Sequence, residues 1–441
     1  MVSGMAGIRT TSMYLTAEEL GKGQQSNTRW VLSGCLLYSI LCSCCISGIL
    51  YFFAPQIAAY WIRDFRTVES LQIYASIVPI ICLCGVMTGY FTASNRIWIL
   101  AIIEVAEQLC SMFVTVIAIR CWAGSDAVRA CQCILLGSGS GACLTLTCLS
   151  LLRIRERTDR GKPIAIARRL TQTAVPLAMA DVLKSGINTA ENLMVPRRLQ
   201  LNTSIPDPLA AFGLVSGMVF PILMFPASII YALAELLIPE LARCNASGST
   251  LRISYLVRRT LKATMVYGLF FSGLMFLLAE PLCLKFYKSA DAVQQLRLYA
   301  LLIPMLYCDA VTDAMTKGLG QQKTCVQYNI ITSVLDLIFL FVLLPGYGMK
   351  GYFVSFLLTH LINFTLSLRR LLKISHTQFS VRIPVSAFIA AIAAAAGASV
   401  LRSSISKTAS YIALLGSLFV LLHVIGYEDS RWFSGLLKQK E

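Results

Sequence analysis

The sequence predicts an all-α polytopic membrane protein with about twelve full spans. Three observations carry this. Hydrophobic residues fill 56% of the 441 positions and charged residues only 14%, against about 25% charged in soluble domains. Mean hydropathy is +0.69. The apolar residues fall in nearly uncharged blocks such as WVLSGCLLYSILCSCCISGILYFFA at 30–54. A block of about 18 or more matches the hydrocarbon core of a bilayer at ~1.5 Å per helical residue.

The elements follow in order. Residues 1–14, MVSGMAGIRTTSMY, have no basic start, apolar core or cleavage site of a signal peptide, and read as a chain that begins partway through a helix. After a polar loop at 15–29, apolar blocks of spanning length occupy 30–53, 72–93, 99–121 and 127–151. The basic stretch RIRERTDRGKPIAIARRL at 153–170 interrupts them. A second series runs 171–195, 209–238, 260–282, 294–318, 322–345 and 349–369, and a last pair occupies 381–400 and 406–425. Pro176, Pro221, Pro226 and Pro304 fall inside these spans, where each removes a backbone hydrogen bond and permits a kink. The organisation expected is an N-lobe at 1–152, a basic cytoplasmic linker at 153–170, a C-lobe at 171–372, and two C-terminal helices with a cytoplasmic tail at 373–441.

Loop charge orients the chain. With the loop at 15–29 inside and sides alternating thereafter, the inner segments hold Arg153, Arg155, Arg157, Arg160, Lys162, Arg243, Arg258, Arg259, Arg369 and Arg370. They collect roughly twice the Lys and Arg of the outer segments, which places the C-terminus in the cytoplasm. The same bias explains the net charge of +16 without nucleic acid, since no basic stretch is interleaved with stacking aromatics. Most of the 16 cysteines lie inside spans as small packing residues, and the three histidines are scattered, so neither a metal site nor a disulfide framework is expected. GKG at 21–23 and RGKP at 160–163 lack the spacing and hydroxyl of a phosphate loop. Loops are too short for a catalytic domain, which argues against an enzyme and against an ATP-driven pump.

An internal repeat sharpens this. Residues 54–79 and 279–304 align without a gap, with identical pairs Ala54/Ala279, Val68/Val293, Leu71/Leu296, Tyr74/Tyr299, Ala75/Ala300 and Pro79/Pro304. The copies lie six spans apart and share one orientation, so the repeat is parallel, about an axis along the membrane normal. Two such bundles facing one another suit alternating access.

Several stretches carry a resemblance. AVPLAMADVLKSGINTAENLMVPRRLQ (174–200), LVSGMVFPILMFPASIIYALAELLIPELA (214–242), AGIRTTSMYLTAEELGKG (6–23) and IIEVAEQL (102–109) resemble, in that family's order, helices of the multidrug/oligosaccharidyl-lipid/polysaccharide exporter superfamily. The likeness is to its oligosaccharide-flippase branch, in the stage V sporulation protein B group. It implies two six-helix lobes around a central cavity plus two C-terminal helices, with the front of the first lobe incomplete here. It implies a flippase carrying a polyprenyl-pyrophosphate-linked oligosaccharide or peptidoglycan precursor across the cytoplasmic membrane, working as a monomer without a cofactor. A cation-coupled multidrug exporter of the same superfamily and an inactive truncated remnant are the alternatives.

Ionisable groups inside spans are the candidate site residues, because each costs at least ~2.5 kcal/mol at mid-bilayer unless it finds a partner or a cavity. Asp181, Lys184, Asn188 and Glu191 fall on one helical stripe, and the resemblance puts that helix at the cavity wall, where Lys184 would meet pyrophosphate. It likewise puts Arg9 near the cavity, where a guanidinium can grip phosphate with two hydrogen bonds. The stripes holding Glu104 and Glu107, and Asp309 and Asp313, are candidate Na⁺- or H⁺-coupling sites, or hydrogen bonds between helices.

Overall fold

Every regular element in the computed structural model is helical. It describes residues 2–24, 27–59, 65–123, 127–155, 166–202, 207–377, 382–401 and 404–421, with the backbone alone at some helical positions, Asp181 and Lys184 among them. The helices are α1 (Val2–Gly21), α2 (Thr28–Ile57), α3 (Val68–Ala93), α4 (Ile97–Ala118), α5 (Ala127–Arg155), α6 (Ile166–Leu199), α7 (Pro208–Leu214), α8 (Phe220–Ala246), α9 (Thr250–Leu282), α10 (Asp291–Ala300), α11 (Ile303–Gly318), α12 (Gln322–Ser375), α13 (Arg382–Ser399) and α14 (Ser404–Leu421). Seven of the helical stretches are long and apolar enough to cross a membrane, with α10 and α11 forming an eighth bent by 51°. The other expected spans correspond to α6, the second arm of α12, α13 and α14.

Two compact units divide the chain, Met1–Ser185 with Ile238–Ser249, and Gly186–Leu237 with Thr250–Glu441. Helix α6 therefore starts in the first unit and ends in the second, and α8 does the reverse. Most of the basic linker lies outside the described residues.

In the first unit, helices approach closely wherever small residues permit, as expected where lipid tails are as apolar as leucine. A Cβ on Gly137 would lie 2.7 Å from the Ser111 carbonyl, and one on Gly141 3.0 Å from that of Glu107, so α5 presses on α4. Ser12 Oγ of α1 donates to the Val86 carbonyl of α3 at 2.9 Å. The core between α1 and α6 is built from Leu15, Val31, Leu32, Val86, Met87, Phe91, Leu100, Leu149 and Ala174. Helix α1 runs on through residues assigned above to a loop, to Gly21, which abuts the α8 backbone at Arg243.

The second unit repeats the α2–α3 arrangement in α9–α11. Ala54 and Ala279 are both fully buried, as are Ala75 and Ala300. The copies differ at the repeated proline. Helix α3 continues unbroken through Pro79, whereas α10 and α11 break just before Pro304. Close packing accompanies the break, since a Cβ on Gly268 of α9 would lie 2.7 Å from Pro304 Cα.

Helix α12 is two helices joined at Gly348, where φ 55° and ψ −133° turn the chain in a region that favours glycine. A Cβ on Gly351 would lie 2.6 Å from the Leu343 carbonyl, so the arms 322–347 and 349–375 run back along one another. The C-terminal pair docks on α9. Ala387, Ala390, Ala391, Ala394 and Ala398 pack with Leu269, Leu277, Tyr411 and Leu415. The buried Tyr411 hydroxyl donates to the Leu269 carbonyl at 3.0 Å.

Candidate functional site

The densest polar site of the second unit joins α6 to both arms of α12. Glu191 lies on the second half of α6, with its carboxyl within interaction reach of Asp336 on the first arm. Two carboxylates have only acceptors, so a hydrogen bond between them needs one of the pair to carry a proton. Ser355 Oγ on the second arm donates to Asp336 Oδ1 at 2.7 Å, and Thr359 Oγ1 stands 3.3 Å from the same oxygen. Tyr352 lies within electrostatic reach of both acids. The hairpin at Gly348 makes this possible, because it brings positions 19 and 23 residues beyond Asp336 back beside it.

Beyond the acids the same two helices close with apolar side chains. Val195 and Leu199 follow Glu191 at one and two turns, and Leu340 and Leu344 follow Asp336 at the same spacing. All four are essentially fully buried, and Phe212, Met349 and Tyr352 pack around them. On the side toward the C-terminal ends of α6 and the first arm, the acid pair is therefore capped by hydrocarbon. The arrangement can take up and release one proton while staying at most singly charged.

The residues expected from sequence separate. Asn188 is exposed on α6 and Glu191 turns to Asp336. The side chains of Asp181 and Lys184 lie outside the described residues. In the first unit, Arg9 and Glu104 meet as an ion pair at 3.6 Å, so a guanidinium read as a phosphate ligand and an acid read as an ion site are partners. Glu107 accepts a hydrogen bond from Thr145 at 2.6 Å, across the close α4–α5 contact. Asp313 pairs with Lys317 at 2.7 Å one turn along α11. Asp309 is held by Asn363, whose Nδ2 donates to both carboxylate oxygens at 3.0 and 3.1 Å.

Asp336 stands in the sequence as a lone acid in an apolar run. Its partners come from α6 and from beyond a turn, so no local spacing announces them. The available signal was the turn sequence Pro345, Gly346, Gly348, followed by Ser355 and Thr359 at helical spacing.

Comparison with known proteins gives a consistent picture. The MatE family model matches residues 176–342, which include Glu191 and Asp336. The chain is 21% identical over 357 residues to "Stage V sporulation protein B" of Bacillus subtilis (strain 168), covering 78% of this chain and 69% of that protein. It is 21% identical over 310 residues to "Sporulation protein YkvU" of the same organism, covering 66% and 67%. Among solved structures it is similar to the Vibrio cholerae MATE transporter VcmN in the bent form, with TM-score 0.69, 14% identity and 85% coverage of each chain. A MOP superfamily transporter from Pyrococcus furiosus gives TM-score 0.68 at 12% identity, again over 85% of each chain. At such identities the structural likeness is one of fold.

Proposed function

We propose that this chain, a transporter of the multidrug/oligosaccharidyl-lipid/polysaccharide exporter superfamily, is a flippase that moves a polyprenyl-pyrophosphate-linked oligosaccharide or peptidoglycan precursor across the cytoplasmic membrane. The observation that carries this reading is the sequence match to two sporulation proteins of one bacterium, each spanning about two thirds or more of both chains. The V-P-R-R-L end of α6 (Val195–Leu199), a mark of the resemblance to the flippase branch, supports it. Lys184 and Arg9 are the cations assigned to the headgroup. The Glu191–Asp336 pair is assigned the coupling role, in which a proton bound on one side of the membrane is released on the other.

A second reading has its own support. The MatE match covers the acid pair, and a proton-coupled exporter of cationic drugs needs such a pair more than it needs basic residues. One experiment separates the two. The full chain is reconstituted in liposomes with a labelled polyprenyl-pyrophosphate-linked oligosaccharide, and headgroup exposure on the far leaflet is followed with an added glycan-modifying enzyme. The flippase reading expects exposure well above protein-free vesicles, reduced in Lys184→Ala. Background exposure together with pH-gradient-driven efflux of a cationic dye would replace it with the exporter.

A further inference from the structure

The second unit buries another acid besides the Glu191–Asp336 pair. Asp309 on α11 is 8% exposed. Both of its oxygens accept from Asn363 Nδ2, a neutral donor. On the same arm of α12, three residues before Asn363, His360 brings Nδ1 to 3.6 Å from Asp309 Oδ2. The imidazole side chain is 35% exposed and the carboxylate 12%, so the ring is the more open of the two. The ring is further fixed against Phe356, at 4.3 Å between centroids.

Acceptors outnumber donors here. Asn363 is itself 8% exposed, and its Oδ1 is buried without a hydrogen-bond partner. The carboxylate thus has one amide as its donor and this oxygen has none, so the group holds more acceptors than donors. None of the neighbouring elements supplies a fixed cation to Asp309 among the described residues. From α8 comes the Tyr231 hydroxyl, and along α11 the Cys308 thiol. Asp313, one turn on, is occupied by Lys317. The neighbouring Tyr307 gives its hydroxyl to the Leu223 carbonyl, and Tyr267 of α9 gives its own to the Pro226 carbonyl. An unpaired carboxylate at this depth is strongly disfavoured, and imidazole is the one side chain here that can provide both the proton and the charge.

We propose that Asp309, His360 and Asn363 form a proton-binding site of their own, in which one proton shared between imidazole and carboxylate ties α11 to the second arm of α12. Uptake of that proton takes the group from one net negative charge to none, with no bond made or broken other than to hydrogen. The site is independent of the cargo, and its test reads protonation rather than transport, so failure of the flippase reading would leave it standing.

The chain has three histidines, His360, His376 and His423, which makes a direct measurement practical. The full-length protein carrying His376→Asn and His423→Gln, labelled with ¹⁵N in its one remaining imidazole, is placed in lipid nanodiscs and followed by NMR from about pH 5 to pH 9, the range in which imidazole charge changes. The expected result is an imidazolium with both ring nitrogens protonated at the acid end and a slowly exchanging Nδ1–H. That signal is lost in one step as pH rises. Asp309→Asn, nearly isosteric, is expected to abolish the slowly exchanging Nδ1–H. A ring that stays neutral across the whole range overturns the proposal without recourse to any change at Asp309. So does an Nδ1–H that survives in Asp309→Asn.

Discussion

Gly268 permits the close approach of α9 to α11 at Pro304, and replacing it with alanine measures how much that contact is worth. The added Cβ would sit 2.7 Å from Pro304 Cα, 3.3 Å from its Cβ and 3.4 Å from its nitrogen. Carbon atoms rest at about 3.5–4.0 Å, so α9 and α11 must part by roughly 1 Å at a contact of backbone on backbone, where no side chain can rotate away. Overpacking of this kind costs ~1–3 kcal/mol. Alanine returns up to ~1 kcal/mol through its better helix propensity, leaving a net loss of about 1–2 kcal/mol. Gly48 of α2 is the control, because a Cβ there meets nothing within 4 Å, and Gly48→Ala is expected to be neutral or stabilising by up to ~1 kcal/mol. Both variants are unfolded by graded denaturing detergent in mixed micelles, with helicity read by far-ultraviolet circular dichroism. Were Gly268→Ala to match Gly48→Ala in sign and size, the contact at Pro304 would not be the tight one described.

Other substitutions test other contacts. Tyr411→Phe removes the hydrogen bonds from the buried hydroxyl to α9 and should lower stability by ~1 kcal/mol in the same titration, while α13 and α14 stay docked through their alanines. Thr145→Val deprives Glu107 of its donor across the α4–α5 contact and should cost ~1–3 kcal/mol; an unchanged midpoint would mean the carboxylate has another donor as good. Glu191→Gln and Asp336→Asn keep the shape but remove the shared proton. Each should slow gradient-driven transport by about tenfold or more, equivalent to ~1.4 kcal/mol in the barrier. Lys317→Ala breaks an i,i+4 pair with Asp313 that is partly open to solvent, and should move stability by no more than ~1 kcal/mol.

The span pattern was legible because bilayer thickness imposes one length on every segment. The break at Pro304 was suggested by the proline, but Pro79 lies within an unbroken helix, so the proline alone did not decide it. The residue packed against Pro304, Gly268, lies on another helix. The same holds for the acids. Glu191 stood out in a polar stripe, yet its partner Asp336 sits on α12 in an apolar run, and His360 and Asn363 reach Asp309 from 51 and 54 residues away. Helical spacing reports neighbours along one helix. Which helix faces which is set by small residues such as Gly137 and Gly141, whose meaning appears only once the partner backbone is known.

The turn at Gly348 behaves as a ruler. Eighteen residues separate Asp336 from Ser355 along the chain, and the folded arms make them neighbours at 2.7 Å. Each residue of a helix advances by ~100° around its axis. Adding or removing one residue between 337 and 354 would therefore swing the Ser355 hydroxyl about a quarter-turn off the Asp336 carboxylate, with Thr359 following. Loop tips elsewhere in a membrane protein absorb length changes readily, but this one has its length written into the hydrogen bonding of an acid more than two helical turns away.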